Sequence, residues 1–171
     1  MTPDQERFQT LLEDHKKILY KICRSYCRNP ADRDDLAQEI VVQLWRSFPR
    51  FDQRVRFSTW MYRIALNVAI SSYRRDSVRT RHVVPGSEHL LKVVDATSSP
   101  REEIDALYRW IEALPPLDKA LVILYLDGNS YLEIADVLGI SQTNVATKIS
   151  RIKDTLRRES DQKSGVTHGT R

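Results

Sequence analysis

Glycine and proline are scarce, 5 and 7 in 171 residues, which excludes a collagen-like or low-complexity chain and leaves few places where a helix must stop. The two cysteines, Cys23 and Cys27, stand one helical turn apart, too few and too close for a disulfide framework, and a reducing cytoplasm fits them. No uncharged run exceeds the 11 residues from Val137 to Thr147, and that run contains Ser, Gln, Asn and Thr. The opening residues, Met1 to Glu6, lack the basic and apolar regions of a signal peptide, so no membrane insertion is expected. The four histidines, His15, His82, His89 and His168, are scattered and have no carboxylates or cysteines at metal-ligand spacing. With no phosphate-cradling glycine loop and no nucleophile elbow, neither metal, cofactor nor catalysis is expected. His15, Cys23 and Cys27 share one helical stripe, which packing explains better than a redox or metal sensor.

What remains is a chain with 29% charged and 41% apolar residues, the composition of an ordered, helix-rich protein long enough for two small domains. The net charge of +4 is a weak argument for a polyanionic partner, but its distribution is uneven. Residues 1–75 carry a net +5, residues 76–100 none, and residues 101–160 a net −2. Inside that acidic block, residues 141–158 hold Lys148, Arg151, Lys153, Arg157 and Arg158 against Asp154 alone. A basic segment within an acidic domain is a localised footprint for phosphate.

Apolar residues recur at steps of three and four from Phe8 to Tyr26, which predicts one amphipathic helix over roughly 5–28. Asn29-Pro30 ends it, and Leu36, Ile40, Val41, Leu44 and Phe48 mark a second helix that stops at Pro49. After a loop, Ser58 and Thr59 are N-cap candidates for a third helix running to about Arg75. The period is lost from Asp76 to about Pro100, and the Pro85-Gly86-Ser87 and Thr97-Ser98-Ser99-Pro100 clusters predict a flexible linker. Two short helices follow, separated by Pro115-Pro116. Ser130 then caps a helix from Tyr131 to Leu138, Gly139 closes it, and Ser141 caps a last helix to about Glu159, ahead of a frayed tail. The expected fold is all-α: two small helical domains, residues 1–78 and 103–160, joined by a linker at 79–102 and followed by a tail at 161–171.

The sharpest motif lies at 131–145. Small Ala135 permits close helix crossing, Gly139 permits the turn, and Ile134, Leu138, Ile140 and Val145 fill a core between two helices, the pattern of a helix-turn-helix. Its second helix offers Gln142, Thr143, Asn144, Thr147, Lys148 and Arg151 outward, hydrogen-bonding groups for base edges mixed with cations for phosphates. On the second helix of the chain, Asp35, Gln38 and Glu39 share one face opposite the apolar stripe. Around the third, Arg54, Arg56 and Arg63 interleave with Phe51, Phe57, Trp60 and Tyr62, a mixture suited to unstacked bases.

Taken in order, Asp34-Asp35-Leu36-Ala37-Gln38-Glu39 with Leu44-Trp45, then Phe57-Ser58-Thr59-Trp60-Met61-Tyr62-Arg63 through Asn67, then Leu114-Pro115 and the helix-turn-helix resemble an extracytoplasmic-function sigma factor of RNA polymerase. The resemblance implies sigma region two over residues 1–78 and region four over 103–160. It also implies three partners: core polymerase, promoter DNA and an anti-sigma protein. Asp35, Gln38 and Glu39 match the face that docks on the polymerase clamp. Phe51 and Asn67 match the walls of a pocket for a base flipped from the minus-ten element, with the 52–58 loop, including Arg54 and Arg56, selecting that base. Trp60, Tyr62 and Arg63 match the part that contacts the opening duplex. Thr147, Lys148 and Arg151 match positions facing the minus-thirty-five duplex. The chain departs from the pattern at Ala146, where many relatives place a basic residue, and at Thr143-Asn144, where many have Gly-Thr, so the resemblance does not carry over their base preference.

Two other functions would fit parts of the sequence. An ordinary helix-turn-helix regulator that binds duplex without polymerase accounts for 130–158 but leaves Asp34 to Asn67 unused. A helical adaptor that binds only proteins leaves the basic footprint unused.

Overall fold

The structure, a computed structural model, describes residues 2–79 and 99–165. Among these there are eight α-helices and no strand. The first four are α1 (Pro3–Asp14), α2 (Lys16–Tyr26), α3 (Pro30–Ser47) and α4 (Phe57–Arg79), with a 3₁₀ turn at Phe48–Arg50 between the last two. The second half holds α5 (Pro100–Ala113), α6 (Pro116–Leu126), α7 (Tyr131–Leu138) and α8 (Gln142–Gly165). Most of the expected linker, together with His82, His89, His168 and residues 166–171, lies outside the described residues.

Local chemistry explains most helix starts. Thr2, Ser99 and Ser130 each close a capping box with Gln5, Glu102 and Glu133 respectively. Pro3, Pro30, Pro100 and Pro116 occupy the first turn, where the missing N–H costs nothing. The Asn29 side chain accepts from the Asp32 amide at 2.8 Å, and Ser141 Oγ accepts from the Asn144 amide at 3.1 Å. Gly139 ends α7 at φ 67°, a left-handed conformation that a Cβ would strain.

Four expectations are corrected. The single helix over 5–28 is two, because at His15 (φ −113°, ψ 11°) the ring Nδ1 takes the Leu11 carbonyl at 2.8 Å and the chain turns before α2. Ser58 and Thr59 are not caps; α4 already includes Phe57, and the Arg56 carbonyl accepts from the Trp60 amide at 3.1 Å. Ser99-Pro100, read as part of a linker, instead opens α5 through its capping box. Finally, α8 passes Glu159 and reaches Gly165, since no helix breaker intervenes.

The core of the first half lies between α2, α3 and α4, where Ile22, Ile40, Leu44, Met61, Ala65 and Ala69 are wholly buried. The small side chains of Ala65 and Ala69 let α4 approach its neighbours closely. In the second half Leu121, Leu124, Ile134, Val145 and Ile149 join α6, α7 and α8.

The two halves also pack on each other, α2 against α5 and α6, and α4 against α6 and α7. Tyr26 donates its hydroxyl to the Pro116 carbonyl at 2.6 Å. Lys119, only 2% exposed, crosses from α6 to donate to the Ser25 carbonyl at 3.2 Å, its ammonium lying over the rings of Tyr73 and Tyr26 at 4.6 and 5.3 Å. Burial pushes this lysine down to about 8. Five ion pairs join the halves among the described residues: Lys21–Asp127, Arg24–Asp105, Arg28–Glu112, Arg56–Glu133 and Arg63–Asp136. In all five the cation belongs to the first half and the carboxylate to the second, the same asymmetry seen in the charge distribution.

Candidate nucleic-acid interface

The 3₁₀ turn and the loop after it are closed by aromatic packing. Phe51, half-buried, stands 5.0 Å from Trp60, 5.6 Å from Phe57 and 6.1 Å from Phe48 between ring centroids. Phe57 is buried, Trp60 half-buried, and the loop departs from this anchor. At its tip Gln53 adopts φ 63°, a left-handed conformation unusual for a residue with a Cβ, held while Asp52 accepts from the Arg54 amide at 3.1 Å. Arg54 is 88% exposed and pairs with Asp52.

Between this loop and α1 lies an open cleft of about 470 Å³, lined by Arg7, Thr10, Leu11, Phe51, Gln53, Val55 and Phe57. Its floor is apolar and its rim polar. Arg7, whose guanidinium lies 5.4 Å from the Phe48 ring centroid, makes no ion pair among the described residues. Sequence reasoning missed Arg7 and Thr10: nothing in their local pattern marks them, and only the packing of α1 brings them to the loop. Asn67 is not part of this cleft. It is exposed on the α4 stripe of Trp60, seven residues along, roughly 10 Å further down the axis.

The other residues of this row meet the second half of the molecule. Arg56 donates to Glu133 at 2.5 Å and Arg63 to Asp136 at 2.8 Å. Tyr62, expected on the duplex-contacting side, is only 3% exposed and donates its hydroxyl to Asp127. The Glu133 carboxyl is held below the usual range, first by the Ser130 backbone amide and hydroxyl it caps, and also by Arg56.

On α3, Asp35 and Gln38 are exposed, and Glu39 is half-buried and clasped by Arg75 of α4 at 2.8 and 3.1 Å. On α8, Gln142, Thr143, Asn144, Thr147 and Arg151 are all exposed, anchored from behind by buried Val145 and Ile149. Lys148 is half-buried, 3.7 Å from Asp118, and Ala146 is half-buried beside it. Lys153 donates to the Tyr125 hydroxyl at 2.7 Å. The helix-turn-helix residues are thus together and outward-facing, whereas the aromatic and basic row of α4 is divided between the cleft, the α4 stripe and the contact with α7.

Burial raises the thiols of Cys23 and Cys27 to about 12 and about 11, so both stay protonated at neutral pH. No group of three or more potential ligands comes together for a metal among the described residues. No helix there is long and apolar enough to cross a membrane.

Comparison with known proteins gives matches in both halves. Residues 11–79 match the family model described as Sigma-70 region 2, and residues 104–156 match Sigma-70, region 4. The chain is 28% identical to the ECF RNA polymerase sigma factor SigW of Bacillus subtilis, over 91% of this chain and 90% of that protein. It is 31% identical to the RNA polymerase sigma-H factor of Pseudomonas aeruginosa, over 90% and 86% respectively. Among solved structures it resembles CnrH in complex with the cytosolic domain of CnrY, with a TM-score of 0.67 and 24% identity over 92% of this chain and 90% of that one.

Proposed function

Since the chain belongs to the extracytoplasmic-function family of RNA polymerase sigma factors, we propose that it binds core polymerase in the cytoplasm, directs it to particular promoters and assists strand opening, without catalysing a reaction itself. Residues 1–78 serve core docking and the minus-ten element, and residues 103–160 serve the minus-thirty-five element. What supports this reading is the pairing of two chemically different surfaces on one chain. The α8 row of Gln142, Thr143, Asn144, Thr147, Lys148 and Arg151 has the mixture of amides, hydroxyls and cations that reads a duplex in the major groove. The Phe51 loop with its aromatic anchor has instead the character of a receptor for a base outside the stack.

In this assignment the exposed Asp35 and Gln38, with Glu39, dock on polymerase. Phe51, Arg54 and Asn67 line the path of the opened strand, and Arg7 and Thr10 complete the rim of the cleft beside the loop. Arg56 belongs with the base-selecting loop, and Trp60, Tyr62 and Arg63 contact the duplex where it begins to open. Because CnrH was solved with the cytosolic domain of CnrY, an inhibitory protein partner is proposed for this chain as well. An ordinary duplex-binding regulator would have no use for the Phe51 loop.

Run-off transcription on genomic fragments with purified core tests the reading. Promoter-specific transcripts that require both core and this chain are expected. Tight duplex binding without core and no transcripts with it would overturn the proposal in favour of a regulator. Indifference to DNA even with core would overturn it in favour of an adaptor.

A further inference from the structure

We propose that the open cavity between α2 and α3 is a binding site for a small anionic amphiphile, a single alkyl chain ending in a carboxylate. It goes beyond the promoter reading and involves neither DNA-facing surface. The cavity has a volume of about 610 Å³, inside the range of roughly 300–1,000 Å³ that small-ligand sites occupy. Leu19 and Cys23 of α2 and Ala37 of α3 supply its apolar lining. Burial raises the Cys23 thiol to about 12, so it stays protonated and behaves as a small apolar side chain. Lys16, Lys17, Arg33 and Asp34 supply the charged lining, three cations against one carboxylate.

Arg33 is the cation held in place. Its Nε donates to the Cys27 carbonyl at 2.9 Å and one Nη to the Arg28 carbonyl at 2.8 Å, so the chain just after α2 fixes the guanidinium at the cavity. Those bonds use two of its five N–H groups, and Arg33 makes no ion pair among the described residues. Lys17 is exposed and likewise makes none there, while Lys16 is paired with exposed Glu13, a contact of the weak surface kind. A guanidinium fixed by the backbone loses little freedom on gripping a carboxylate, whose two oxygens suit its fork. The unpaired cations thus select an anionic head, and the apolar lining selects a chain. Asp32, Asp34 and Asp35 are exposed along α3 and repel an extended anionic surface such as a membrane, whereas a free amphiphile brings a single charge.

Titration of the full chain with octanoate, decanoate and dodecanoate, each below its micelle concentration and without DNA or polymerase, tests the site. Affinity should rise about three- to fourfold per added methylene until the cavity is full. Decanol, which has the chain without the charge, should bind on the order of tenfold more weakly than decanoate. Lys17→Gln and Arg33→Gln should each reduce that preference for the carboxylate while keeping the gain per methylene. Ala37→Leu, which fills the interior, should do the reverse, removing the gain per methylene with helicity by circular dichroism unchanged. Should Arg33→Gln lose its fold along with its bonds to the chain after α2, Lys17→Gln, which breaks no contact, decides the head-group arm. In the parent, decanoate should shift the methyl resonances of Leu19 and Ala37. Equal binding of decanoate and decanol would overturn the proposal, as would an unchanged affinity in Ala37→Leu or methyl shifts confined to other parts of the chain. Co-sedimentation with vesicles of phosphatidylcholine and phosphatidylglycerol, without saturable decanoate binding, would overturn it in favour of a membrane surface. Failure of the function proposed above shows separately, as absence of core-dependent transcripts, whatever these titrations give.

Discussion

Arg56, just before α4, and Arg63 on it each meet a carboxylate of α7, whereas on α8 Arg151 stands exposed without an ion pair among the described residues and Lys148 lies 3.7 Å from Asp118. Both rows read alike in the sequence: cations among polar or aromatic residues on one side of an amphipathic helix. They differ in what the fold brings opposite them. The first half carries the excess of cations and the second the excess of anions, so docking the halves pairs the row that faces inward and leaves the other facing solvent, with Lys148 alone beside a carboxylate of its own half. A basic residue in a DNA-facing pattern is therefore not automatically an available one.

The largest effect should come from reversing the charge of the inward-facing row itself. Arg56→Glu with Arg63→Glu places anions opposite both the α7 carboxylates and promoter phosphate, and should lower open-complex formation with core by two orders of magnitude or more, since each lost charge-assisted contact costs on the order of 2–5 kcal/mol. Duplex binding through α8 should survive. Permanganate reactivity of promoter thymines beside a minus-thirty-five binding titration separates these effects, and equal losses in both would remove the contrast between the rows.

Lys119 offers a second way to alter the comparison, by strengthening the closed form. Replacing a buried charge with a well-packed apolar side chain is often neutral or stabilising by about 1–4 kcal/mol, so Lys119→Met should hold the halves together more tightly and raise the denaturant midpoint. The same residue sets a pH dependence. Its ammonium is depressed from the ordinary lysine value of 10.5 to about 8 by burial when the halves are packed, and returns to the ordinary value when they part. The packed form thus binds fewer protons between about pH 8 and 10.5, and closure should strengthen as pH rises through that window. Below about pH 8 both forms are protonated and closure is at its weakest. Around Lys119 stand Tyr26, Tyr73, Cys27, Glu112 and Arg28; burial in the packed form raises the Cys27 thiol from 9.0 to about 11 and the Tyr26 hydroxyl further, so above about pH 9 these two oppose closure and the Lys119 effect stands clear only between about pH 8 and 9. Scattering across pH 7.5 to 9 should show progressive compaction in the parent and none in Lys119→Met.

On the solvent-facing row, Arg151→Ala should weaken duplex binding by about 1–3 kcal/mol and relax one position of sequence preference if it reads a base, or flatten the salt slope without changing preference if it meets phosphate. A selection on randomised minus-thirty-five DNA distinguishes the two. No change in either removes Arg151 from the interface. The smallest effect should be at the cleft: Arg7→Ala removes one exposed cation near the Phe48 ring and should lower single-stranded minus-ten affinity about two- to fivefold, with one base preference altered. An unchanged selection profile would leave Arg7 outside the strand path.

The helix-turn-helix was legible because its determinants are local. Ser130 with Glu133, Gly139 and Ser141 cap and turn the chain with atoms a few residues away, and the Val145 stripe must face inward wherever the helix is placed. The acidic face of α3 was legible for the same reason, although its Glu39 is held by Arg75, 36 residues on, a partner that no helical period announces. Less legible was the break at His15, where neither proline nor glycine interrupts the apolar stripe and a ring nitrogen does the turning. Ser99 and Pro100 looked like linker because the same residue types serve breakers and caps, and only Glu102 three residues on, with helix following, separates the two uses.

The sequence by itself determined that this protein is helical, where most of its helices begin, which faces are apolar, and that it belongs among promoter-recognition subunits, because caps, periodicity and motif order depend on neighbours along the chain. Only the tertiary structure decided that Tyr62 is buried, that Lys119 crosses into the other half, that Arg7 and Thr10 reach the Phe51 loop, and that Arg56 and Arg63 face carboxylates. Those facts depend on pairs of residues from 41 (Thr10 and Phe51) to 94 (Ser25 and Lys119) positions apart in the chain, and the free energy of such contacts is set by which surfaces meet, which a one-dimensional pattern of charge and hydropathy does not encode.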